Sequence, residues 1–126
     1  MLASVGESAG PVPYTCYQVT QETLKEKGDV VERFLRAVYK GQRFLAENDA
    51  KTVAEALAPS FPDADLEVLE KVVVRYREIG AFALSPVLEQ EPYERLLDIM
   101  EQAGELDSRP PYGDVVNNTL AEKVSK

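Results

Sequence analysis

The stretch from Val12 to Val19, VPYTCYQV, constrains the fold more than any other part of this chain. Tyr14, Thr15, Tyr17 and Val19 are good strand formers. Side chains alternate across a strand, so Tyr14 and Cys16 share one face while Tyr17 and Val19 share the other. Both faces then carry apolar groups, as in a sheet covered on both sides. A strand also needs backbone partners. One candidate lies close by: the short apolar run Leu2 to Val5, separated from the first by the turn-rich GESAG. A two-stranded ribbon over that turn is marginal unless helices cover it.

Nearly everything after Val19 reads as helix. Thr20 is placed to cap a short helix over Gln21 to Lys27, stopped by Gly28. In DVVE, Asp29 and Glu32 have capping-box spacing. Val31, Phe34, Leu35, Val38, Phe44 and Leu45 then form an apolar stripe at helical spacing to about Glu47. Gly41 within that stripe weakens a helix, and its physical use is close approach of a neighbouring backbone. Asp49 opens a helix over Ala50 to Leu57, ended by Pro59. Another runs from about Asp65 to Gly80, with Leu66, Leu69, Val73 and Tyr76 on one face. Glu91 and Pro92 begin a helix carrying Tyr93, Leu96, Leu97 and Met100, stopped by Gly104. ELDSRPPYGD reads as a loop, and a last amphipathic segment spans Asn118 to Val124. The expectation is a mostly helical chain, with about five helices and one or two N-terminal strands.

Composition excludes several function classes. The formal charge of −8 lacks the basic footprint of a nucleic-acid binder. No apolar run is long enough to cross a membrane as a helix. MLASVGESAGPV lacks the basic flank and apolar core of a signal peptide, which predicts a cytoplasmic location for the chain as written. There is no histidine, which removes Ser-His-Asp and Cys-His nucleophile pairs and histidine-bound zinc. Cys16 is the only cysteine, so no internal disulfide forms, and within a strand it reads as a small buried hydrophobe. Asp63, Asp65 and Glu67 lack the glycine and distant glutamate of a calcium loop and read as helix caps. Asn117-Asn118-Thr119 matches a glycosylation sequon, but its asparagines suit a helix N-cap equally well. GESAG has the spacing of a nucleophile elbow, yet Ser8 has no histidine to activate it. Neither a catalytic group, a metal nor a cofactor is expected.

An ordered run of segments carries a family resemblance. VPYTCYQVTQETLKEKGDVVERFLRAVYKGQRFLAEND, then APSFPDADLEVLEKVVVRYREIGAF, then EPYERLLDIMEQAGELDSRPPYGDVVNNTLAEK resemble substrate-binding proteins of nitrate/sulfonate/taurine-type ABC importers, a group that includes thiamine-precursor-like binding proteins. The resemblance covers nearly the whole chain and includes no catalytic motif. It implies an α/β parent of the type II periplasmic-binding-protein fold, with two lobes closing on a small molecule. On that basis residues 1–126 form one domain, the C-terminal part of such a protein. Residues 1–11 would be the crossing strand and loop, and 12–126 the returning strand and terminal helices. The strand's partners would then lie upstream of Met1, and the parent would be periplasmic.

The resemblance further implies a ligand in the interlobe cleft, nearest to Glu7, Ser8, Gly10, Tyr14 and Thr15. Hydroxyls and backbone N–H groups there suit a polar or anionic solute such as a sulfonate, taurine, nitrate or a pyrimidine, with Tyr14 as an apolar wall. Closure would flex at Ser4 to Gly6. The implied partners are that solute and an ABC permease. An isolated piece with an open strand edge is expected to self-associate or to be poorly stable. The alternative is a stand-alone helical interaction module that binds no ligand. An enzyme of the thiamine-pyrimidine synthase branch is disfavoured, because its chemistry draws on histidine.

Overall fold

The computed structural model describes residues 5–126, apart from the side chains of Val5 and Glu7. In chain order the helices are α1 (Val5–Ala9), α2 (Gln21–Glu26), α3 (Gly28–Glu47), α4 (Ala50–Leu57), α5 (Leu66–Glu78), α6 (Gln90–Gln102), α7 (Tyr112–Val115) and α8 (Thr119–Val124). A 3-10 turn, Ala58–Ser60, follows α4.

No strand occurs among the described residues, and this corrects the α/β expectation. Val12 to Val19 is an irregular segment whose side chains are half-buried or exposed. No amide from Tyr14 to Val19 donates to a described backbone carbonyl. The physical reason is the absence of a second edge among the described residues. Val5 to Ala9, where the last residue of the other arm and most of its turn were expected, is helical, and Gly10 ends that helix at φ +74°. The earlier part of the expected crossing strand, and Ser4 of the expected hinge, fall outside the described residues. β-propensity without a partner does not make a strand. Tyr14 is 95% exposed and Cys16 is exposed, so neither is the core residue that its sequence context implied.

Local signals place the helices well. Thr20 Oγ1 accepts the Thr23 N–H at 3.1 Å and opens α2. Asp49 accepts the Thr52 N–H at 2.9 Å and the Thr52 hydroxyl at 3.0 Å, opening α4. These hydrogen bonds, the backbone one first, hold the Asp49 carboxyl below its ordinary range. Asp29 differs from its expected capping role. Helix α3 begins at Gly28, and Asp29 instead accepts from Arg33 Nη2 at 2.9 Å one turn on. Gly80 (φ +64°) and Gly104 (φ +74°) follow α5 and α6 in the left-handed region that favours glycine. Helix α7, unexpected from sequence, starts immediately after the Pro110-Pro111 block.

The core lies in the later helices. Val53 and Ala54 of α4 pack against α5, where Leu69 and Val73 are buried. Tyr93 and Leu97 are buried on α6, and Ala121 and Val124 on α8. Helix α8 lies on α3, and Lys123 Nζ donates to Glu32 Oε2 at 2.5 Å across that contact. Arg77 of α5 donates to the carbonyls of Leu45 and Asn48, satisfying the C-terminal end of α3. Tyr76, expected on the inner face of α5, is 45% exposed and leans on Phe82.

Candidate functional site

Two regions qualify as candidate sites: the N-terminal stretch expected to meet ligand, and an open hollow at the start of α6. The hollow, about 720 Å³, is lined by Val87, Glu89, Gln90, Tyr112, Asn118 and Glu122 among others. Two of the lining residues, Tyr112 and Asn118, belong to a hydrogen-bonded hub around Leu88. The Leu88 N–H donates to Asn118 Oδ1 at 3.1 Å, and Asn118 Nδ2 donates back to the Leu88 carbonyl at 2.9 Å. Asn118 Nδ2 also donates to the Tyr112 hydroxyl at 2.8 Å, and that hydroxyl donates to the Leu88 carbonyl. The Asn118 amide is thereby engaged at both ends. Its work is to fasten the 81–89 connection to the start of α8, which leaves little capacity for a ligand. Asn118 therefore does not cap α8 as its position suggests; Asn117 Oδ1 accepts the Thr119 N–H at 3.0 Å instead.

A similar closure accounts for Arg109. Its guanidinium donates at 2.6 Å to Asp98 Oδ1 and at 2.6 Å to Glu101 Oε2, with Glu94 nearby. The hydrogen bonds to Glu101 and Asp98 raise its pKa still further above neutral pH. The arrangement ties the 103–111 loop to α6. Tyr93 adds a second tie, its hydroxyl donating to the Pro110 carbonyl at 2.7 Å and its ring lying edge-on to Tyr112 at 5.5 Å.

The residues expected at a ligand site are distributed along the N-terminal stretch. Glu7 falls on α1, with its side chain outside the described residues, and Ser8 is exposed on the same helix. Gly10 follows, then Tyr14 and Thr15 on the irregular segment, both exposed. None of them lines the hollow beside α6. One contact changes the chemistry of this stretch. A Cβ added at Gly10 would overlap the Arg95 guanidinium. Gly10 is thus a place of close approach, and it brings a cation from α6 to the N-terminal stretch. Arg95 Nη2 also donates to Glu91 Oε1 at 2.7 Å, an exposed pair one helical turn apart. Arg95 was not legible as a site residue, since only the fold joins it to Gly10. Among the described residues, no group of three or more carboxylate or thiol side chains is set to hold a metal ion. Likewise, no described helix is long and apolar enough to cross a membrane.

One curated protein gives the functional lead. The chain is 36% identical over 125 residues to a Bacillus subtilis (strain 168) protein named "Putative binding protein YtlA". The match takes in 99% of this chain, and the chain spans 37% of the length of that relative. No family model matches the chain. No solved structure matches it either.

Proposed function

We propose that this chain is part of the solute-binding component of an ABC importer, and that it forms one wall of a site for a small polar or anionic molecule. The observation that carries this reading is the similarity to YtlA over 99% of the chain, since that relative is named a binding protein. The ordered segments described above favour the nitrate/sulfonate/taurine type. Ser8, Gly10, Tyr14 and Thr15, with Glu7, are the proposed contacts. Arg95 adds a guanidinium beside Gly10, where it suits the anionic members of that ligand class through charge-assisted hydrogen bonds. The exposed Tyr14 ring supplies an apolar face. The permease remains the proposed protein partner, and an extracytoplasmic location goes with it.

A thermal-shift panel of taurine, an alkanesulfonate, nitrate and a pyrimidine tests the reading directly. A ligand that binds only the folded chain stabilises it by about 2.7 kcal/mol at one hundred times its Kd. One ligand class raising Tm in the wild-type chain, and failing to do so in Arg95→Ala, is the expected outcome. Silence across the panel contradicts ligand binding by this chain. It would favour a second reading, a helical interaction module without a ligand. That reading is supported by the helices, with no strand, among the described residues and by the shallow, solvent-facing hollow beside α6.

A further inference from the structure

Helix α3 carries two apolar faces, and only one of them is used. Val31, Leu35, Val38 and Leu45 are half-buried on the side of the helix that meets α8. A second line runs through Val30, Phe34, Ala37, Gly41 and Phe44, at spacings of four, three, four and three residues. That places all five on one seam, about 21 Å long at 1.5 Å rise per residue. Every one of them is exposed, Val30 by 49%, Phe34 by 45% and Phe44 by 38%. Tyr17 meets Phe34 edge-on at 4.7 Å and extends the patch onto the irregular N-terminal segment.

The seam has a notch at its centre. Ala37 and Gly41 lie between the two phenylalanines, and a Cβ added at Gly41 would meet nothing within 4 Å. Glycine weakens the middle of a helix and is of use where another backbone comes close. No described backbone does so. An exposed apolar line with a shaped gap is therefore a surface for something other than the described chain.

We infer that this seam is where the larger remaining part of a binding protein of YtlA's length packs. The inference rests on the proposed relationship to such a protein. In YtlA the segment matching this chain is 37% of the molecule, so most of that relative lies outside the match and is available to cover such a face. The charge pattern argues against a second copy as the occupant. Arg33 and Lys40 share one edge of the seam. Two antiparallel copies centred on Ala37 would set Arg33 of one against Lys40 of the other, and like charges there disfavour pairing. Acidic groups on the occupant would instead be attracted to that edge. The Arg33–Asp29 pair beside it is exposed and weak enough to rearrange.

A chimera tests this: full-length YtlA with its matching segment replaced by this chain. With Cys16→Ser as background, Ala37→Cys reports the seam through its rate of thiol labelling, and Val72→Cys on α5 serves as control. In the isolated chain both positions label quickly. In the chimera, position 37 is expected to slow at least 100-fold while position 72 changes little. Gly41→Leu is expected to lower the chimera's Tm and to leave that of the isolated chain unchanged or higher. Equal labelling of position 37 in both proteins overturns the inference. So does protection in the isolated chain that grows with concentration, since a second copy would then be the occupant. A chimera that fails to fold where YtlA folds counts against it as well. Ligand binding by the chimera is read separately. Protection without ligand binding removes the functional reading and leaves the surface. Ligand binding with position 37 freely labelled does the reverse.

Discussion

Helices α3 and α5 show how differently apolar residues are used within one small protein. Helix α5 has 13 residues and buries Leu69 and Val73 against α4, which buries Val53 and Ala54 in return. Helix α3 has 20 residues and contains no buried residue. Amphipathic patterning is clear in both, so the pattern alone does not determine burial. What differs is the availability of a neighbour. A short turn through Pro59 brings α4 and α5 together in sequence and in space. Half of α3's apolar circumference has no such neighbour among the described residues. The difference separates a self-sufficient core from a surface that waits for one.

Leu69→Ala should produce the largest effect, since a buried leucine truncated in a packed core costs about 2–5 kcal/mol. Phe34→Ser on α3 removes a half-exposed ring and its edge-on contact with Tyr17, and should cost less, about 0.5–1.5 kcal/mol. Chemical denaturation of both variants breaks the comparison if their effects are similar. Next comes Asn118→Ala. Removing that amide leaves the Leu88 N–H without its partner and should cost about 1–3 kcal/mol by the same measurement. A smaller gain is expected from Gly41→Ala. At an exposed position in mid-helix, with open space for the new methyl group, it should stabilise the isolated chain by up to about 1 kcal/mol. A loss there would mean that a backbone does approach the seam.

The smallest effect depends on pH. Hydrogen bonds from Lys123 and then Arg36 hold the Glu32 carboxyl below its ordinary value of 4.5. A carboxyl with a lowered folded-state pKa contributes stability that is fully present above the unfolded-chain value. That contribution is lost as pH falls through the lowered value. Glu32→Gln should therefore make Tm less sensitive to acid below about pH 5 than it is in wild type. Parallel curves for the two proteins would show that the contact between α3 and α8 contributes nothing through this pair.

Features that depend on nearby residues were legible in the sequence. Thr20 and Asp49 cap their helices, and Gly80 and Gly104 follow theirs, because each acts within one turn of its own position. Asp29 was misread since two local partners competed for it, and Arg33 one turn on prevailed over the backbone. VPYTCYQV was misread for a different reason. Its alternation and its aromatic residues describe what a strand looks like, but strand formation is settled by a second edge that lies elsewhere. Contacts across the fold were not legible at all. Arg95 meets Gly10, Asn118 holds Leu88, and Arg77 closes the end of α3, each over a separation that no spacing rule covers. The proposed site was thus readable as a stretch of chain, while its cation was not.

Amide hydrogen exchange across the isolated chain is the measurement that tests the central claim most directly. Amides from Tyr14 to Val19 are expected to exchange at nearly the rate of an unstructured peptide, while those around Leu69 and Val73 exchange only on global opening. Protection of Tyr14 to Val19 comparable to that of α5 would contradict the account, since it would mean that this segment already has the backbone partners that the structure does not give it.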